Sequence, residues 1–157
     1  MLQPLALIFK LNNNLIARSL DGLSDEDVWR QPSGSGNPIG WILGHLTETR
    51  AGMLSDMGRP FDCGWSRAFQ RGSALQDRTG YPARAAIEAA WNATHIAMRD
   101  AFAAVPGDRL VAPVSRRPVP GVESLADLIA FCGFHESYHV GQIGFIRKQL
   151  GHASIAG

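Results

Sequence analysis

Apolar residues along this chain recur at spacings of three and four, and no segment sustains the two-residue alternation of a half-buried strand. The pattern predicts helices only. The first runs over about residues 5–20, with Leu5, Ile8, Phe9, Leu11, Leu15, Ile16 and Leu20 as its apolar positions. A short helical turn follows at 24–29, where Ser24 is a good N-cap and Asp25, Glu26 and Asp27 favour the helix dipole. The second main helix takes Asn37 as N-cap and Pro38 as its first position, and runs to about Met57. The third opens at Pro82 and continues through Val105, with Ile87, Trp91, Thr94, Met98 and Phe102 on one stripe; Pro106 and Gly107 end it. The fourth starts at the N-cap Ser124, with Asp127 three residues on in a variant of the capping box, and extends to about Leu150 before Gly151.

These elements predict an all-α fold, a four-helix bundle forming one domain over residues 1–157. Two long connections, 58–80 and the proline-rich 113–121, mean that the topology need not be a simple up-down-up-down path. The 58–80 segment carries Phe61, Trp65, Phe69 and several arginines. It suits either a lid over a site or an aromatic cover for one end of the bundle, and the cover is the reading we favour.

Composition narrows the function classes. With 45% hydrophobic and 18% charged residues the chain is an ordinary globular protein. A net charge of +1, with only Arg116 and Arg117 adjacent, offers no footprint for nucleic acid. Cys63 and Cys132 are too far apart in sequence for a CxxC pair and too few for a disulfide framework, which fits a reducing cytoplasm. The apolar N-terminus lacks the basic region and cleavage site of a signal peptide, and its run is far short of the ~20 residues of a membrane helix.

Chemistry concentrates in the histidines. The fourth helix has a stripe at Leu128, Cys132, His135, His139, Gln142 and Ile146. His135 and His139 are one turn apart on one face, roughly 6 Å, so both imidazoles can reach one metal ion. The plainer alternatives are a hydrogen-bonded pair of core histidines or a face turned to solvent. His45, beside Ile42, Leu46 and Thr49 in the second helix, sits at the edge of another apolar stripe and can supply a third ligand from a facing helix. His95 is one position off its stripe, and His152 follows the helix-ending Gly151; both are expected at edges or on the surface. Glu48 and Glu136 are either partners that orient an imidazole or solvated carboxylates.

The string His-Glu-Ser-Tyr-His-Val-Gly-Gln-Ile from His135, with Asn-Pro-Ile-Gly-Trp-Ile-Leu-Gly-His ending at His45 and with Arg50, resembles the DinB/YfiT-like superfamily. The likeness extends to the Leu-Ser-Asp-Glu-Asp segment at 23–27 and the Leu-Gly at 150–151. It implies a four-helix bundle holding one divalent metal ion, commonly nickel or zinc, through His45, His135 and His139. It also implies a homodimer. His135 to His139 satisfies the HExxH zinc-peptidase signature too. However, the positions where a metzincin continues are Gln142 and Phe145, and no acidic residue follows Glu136 for a thermolysin-like ligand.

A metal on three imidazoles keeps positions open for water or substrate. The first expectation is therefore a metal-dependent enzyme acting on a small molecule. The resemblance implies transfer with a low-molecular-weight thiol cosubstrate, or hydrolysis. Glu136, Tyr138 and Gln142 are its candidate catalytic residues, although Tyr138 also suits simple packing and Gln142 a hydrogen bond within the core. The second expectation is a non-catalytic, metal-stabilised bundle serving a stress response or a partner.

Overall fold

The computed structural model describes residues 2–32, 36–65, 67–70, 72 and 77–155. Among them every regular element is helical: α1 (Gln3–Leu20), α2 (Asp25–Trp29), α3 (Ile39–Asp56), α4 (Arg84–Ala104), α5 (Gly107–Leu110) and α6 (Leu125–Gln149), with a 3-10 turn at Arg78–Gly80. Two starts carry capping boxes. In each, a serine hydroxyl (Ser24, Ser124) accepts the backbone N–H three residues on, while Asp27 or Asp127 accepts from the serine's own N–H. Two predicted starts shift. Pro38, not Asn37, is the cap residue of α3, and α4 begins at Arg84, two residues beyond Pro82. The Pro106–Gly107 stop ends α4 as expected, yet Pro106 also initiates the one-turn α5.

Side-chain pairs fix the directions of the four long helices. Asn12 bonds Ser137, and Arg147 donates to the carbonyls of Ser19 and Asp21, so α1 and α6 run parallel. Early residues of α3 and α4 (Ile42, Leu46; Ile87, Trp91) share one apolar cluster and late ones (Met53, Leu54; Met98, Ala101) share another, so these two are parallel as well. The path is thus up, down, down, up. Consecutive parallel helices require a connection that travels the whole bundle, which is why 57–83 is long.

The two clusters are separated by a polar belt to which every long helix contributes. Asn12 comes from α1, Thr47 and Arg50 from α3, Thr94 from α4 and Glu136 from α6, all of them buried. Arg50 Nε and Nη2 donate to both oxygens of Glu136 at 2.7 and 3.0 Å, and its Nη1 donates to Asn13 Oδ1 at 3.3 Å. The guanidinium also lies 3.3 Å from the centroid of the Trp91 ring. Such a charge pair is tolerated in a core only because each hydrogen-bonding group meets a partner.

α2 and the crossover each dock into a notch on α3. A Cβ at Gly40 would stand 2.8 Å from the Trp29 ring, and one at Gly44 would stand 2.5 Å from the Phe69 ring. Phe69 is fully buried and stacks on Tyr81, which in turn stacks on Trp29. The aromatics of this segment therefore cover one end of the bundle. Arg71 and residues 73–76 lie outside the described residues.

Candidate metal centre

At the edge of the polar belt α3 faces α6 in the opposite direction, which brings His45 against His135 and His139. The Nε2 atom of His135 is 3.3 Å from that of His45 and 3.1 Å from that of His139. The donor atoms of the three rings all lie within 4.8 Å of one another. Ligands held about 2.0–2.1 Å from a tetrahedral ion stand roughly 3.3–3.4 Å apart, so the spacing suits a zinc-like coordination shell.

The outer ring nitrogens show which way the lone pairs point. His45 Nδ1 is 3.0 Å from the carbonyl oxygen of Phe69, and His139 Nδ1 is 2.6 Å from Gln142 Oε1. Both partners are acceptors, so each Nδ1 carries the proton and donates it. The Nε2 atoms of His45 and His139 consequently turn lone pairs towards His135, whose own Nε2 has at most one proton to offer. A cation satisfies this convergence of lone pairs better than any protonation pattern of the rings. Burial, aided by neighbouring His45 and opposed by the bond to Gln142, pushes the His139 pKa down to about 4. His139 is thus neutral at pH 7, as a ligand must be.

Aromatic rings wall the cluster. Trp41 lies parallel to His45 at 5.2 Å between centroids, Phe131 stacks on His135, and Tyr138 presents its ring to His139 edge-on. The Gln142 side chain is oriented at both ends: its Oε1 accepts from His139 and its Nε2 donates to the Tyr138 hydroxyl at 3.2 Å. Tyr138 is 58% exposed, so it is not core packing. Gln142 and Tyr138 also line a pocket of about 560 Å³ together with Asn37, Ile42, Phe145 and Gln149. Among the described residues no charged side chain lines it, and none of the three histidines does either; Gln142, bonded to His139 Nδ1, connects it to the cluster.

Glu136 is the sequence candidate whose surroundings differ most from expectation. Its carboxylate is buried, with both oxygens held by Arg50, and it is not part of the three-donor group. Its position corrects the reading of Glu136 as a solvated carboxylate. Glu48 is half-buried and accepts the Phe69 N–H at 3.3 Å; burial raises its pKa. His95 and His152 are both away from the cluster. His95 is partly buried on α4, and His152 reaches Asp27 at 3.4 Å, tying the C-terminal segment to α2.

One participant was not legible in the sequence, and another was legible only in part. The Phe69 carbonyl is a main-chain group on a crossover with no periodic pattern, and nothing in the sequence marks it. Arg50 did leave a signal, an arginine within the apolar stripe of α3, but its partner 86 residues away did not.

The fold and the site together define a helical bundle with a three-histidine centre of metal-ligand geometry. The chain belongs to the DinB superfamily, whose family model matches residues 9–143. A comparison with curated proteins finds no match.

Proposed function

We propose that this protein binds one divalent cation, zinc or nickel, through Nε2 of His45, His135 and His139, and uses it to act on a small molecule. The observation carrying the proposal is the convergence of three Nε2 atoms while two of the rings donate Nδ1–H outwards to fixed acceptors. A bound cation with open positions supplies Lewis acidity towards water, a carbonyl oxygen or a thiolate. The reaction class is transfer using a low-molecular-weight thiol, or hydrolysis.

The chain's own contribution is positional. Gln142 holds His139 in the tautomer a ligand needs and donates to the Tyr138 hydroxyl, and these two pocket-lining side chains can orient a substrate. The uncharged lining suits a neutral or weakly polar body. The peptidase alternative has little support, because the glutamate of its signature is held in the ion pair with Arg50.

A second reading, a metal-stabilised bundle that serves a stress response or docks a partner, is favoured by one observation. Phe134, Tyr138 and Phe145 expose 69%, 58% and 63% of their surface along the outer face of α6. That stripe supports homodimer formation in the enzyme reading as well. No helix of the described residues is long and apolar enough to cross a membrane. The two free cysteines support a place in the cytoplasm.

Elemental analysis of the purified protein beside His45→Ala and His135→Ala tests the centre. The expected result is about one equivalent of metal in the parent and strong depletion in both variants; undiminished metal in both removes the proposal. Turnover in a thiol-dependent transfer screen, lost with chelator and restored by metal, separates the enzyme from the scaffold.

A further inference from the structure

Three groups within little more than one turn of α3 grip a single residue of the crossover. Gly44 leaves the notch that the Phe69 ring fills, His45 donates Nδ1–H to the Phe69 carbonyl at 3.0 Å, and Glu48 accepts the Phe69 N–H at 3.3 Å. Ring, carbonyl and amide are thereby held at separate points, and Phe69 is fully buried. The carbonyl can only accept. As long as it stays in place, His45 keeps its proton on Nδ1 and presents an Nε2 lone pair to the other two histidines. Glu48 does not belong to the three-donor group itself. It accepts instead from the main chain whose carbonyl orients His45.

Building on the metal-centre reading, we infer that Glu48 is a positioning residue: by holding the Phe69 amide it fixes the carbonyl that sets the tautomer and orientation of His45. The crossover is then a working part of the centre as well as a cover for the bundle end. Glu48 requires only an acceptor oxygen for this role. Its negative charge is dispensable, which distinguishes it from a metal ligand or a general base.

The test compares the parent protein with Glu48→Gln, which keeps an acceptor oxygen, and Glu48→Ala, which removes it; Glu48→Met replaces the alanine variant if that one does not fold. The tautomer of His45 is read in metal-free protein from the ring-nitrogen shifts of ¹⁵N-histidine, and zinc affinity by competition with a chromophoric chelator. Glu48→Gln should keep the Nδ1–H form of His45 and stay within about threefold of parental affinity. Glu48→Ala should show mixed tautomers and bind zinc about 10–100-fold more weakly, the usual effect of losing a group that orients a ligand. A pure Nδ1–H form with parental affinity in Glu48→Ala overturns the inference. So does an equal loss in both variants, because it assigns the effect to charge. If the parent binds no zinc, the metal reading fails separately, and the tautomer comparison in apo protein still decides the role of Glu48.

Discussion

Replacing Arg50 by methionine removes the cation from the polar belt while keeping most of its side-chain volume. Glu136 is then left 2% exposed, without the two hydrogen bonds of 2.7 and 3.0 Å that hold its oxygens. Stripping one partner from a buried pair typically costs about 3–5 kcal/mol, chiefly because the remaining charge has lost its solvent and its counter-ion together. The contact with Trp91 at 3.3 Å disappears as well, so the upper part of that range applies. At roughly 2–4 °C per kcal/mol for a domain of this size, a loss of about 4–5 kcal/mol should lower Tm by about 8–20 °C. Urea titration at pH 7 gives the free energy and a calorimetric scan gives Tm. The double variant Arg50→Met/Glu136→Leu should recover most of the loss, since replacing both charges by apolar groups is often close to neutral. If Arg50→Met lies within about 1 kcal/mol of the parent, or the double variant is no better than the single one, the ion pair does not hold the belt together.

Three further outcomes follow from other contacts. Gly44→Ala places a methyl group 2.5 Å from the Phe69 ring, so the crossover must retreat; stability should drop by about 1–3 kcal/mol and zinc affinity with it, and parental behaviour in both measurements contradicts the notch. Asp127 has its pKa lowered, first by the Ser124 hydroxyl, so its stabilisation is complete above the unfolded carboxylate range and fades as pH falls below about 4. The stability gap between parent and Ser124→Ala should therefore narrow between pH 6 and pH 2.5, and a gap independent of pH rejects the link. Burial pushes both thiols up to about 11, so a disulfide reagent at pH 7.5 should label native protein slowly, Cys63 ahead of the more buried Cys132, and both quickly in urea.

Helix periodicity and cap chemistry were enough to place the four long helices, because serine caps, proline starts and glycine stops act within a few residues. The starts of α3 and α4 moved by one or two positions because a proline near a helix start tolerates several registers. The one-turn α5 was hidden by the Pro-Gly pair that ends α4. For the site, the four-residue spacing of His135 and His139 is a local fact, and α6 delivers it directly. The meeting of His45 with that pair depends on the antiparallel packing of α3 and α6, which no local signal encodes; the motif resemblance supplied it. The pairing of Glu136 with Arg50 is long-range in the same way. Read along the helix, Glu136 merely adjoins His135, while in the fold it faces into the bundle.

The polar belt also works as a ruler. Sliding any long helix by one turn would bring Arg50, Asn12, Thr94 or Glu136 level with one of the two apolar clusters and leave hydrogen-bonding groups unmet. The belt thus sets the axial register of α3 against α6 by means that involve no metal, and that register is what brings His45 level with His135 and His139. A chain built this way brings its three histidines together through an arginine and a glutamate that lie outside the three-donor group.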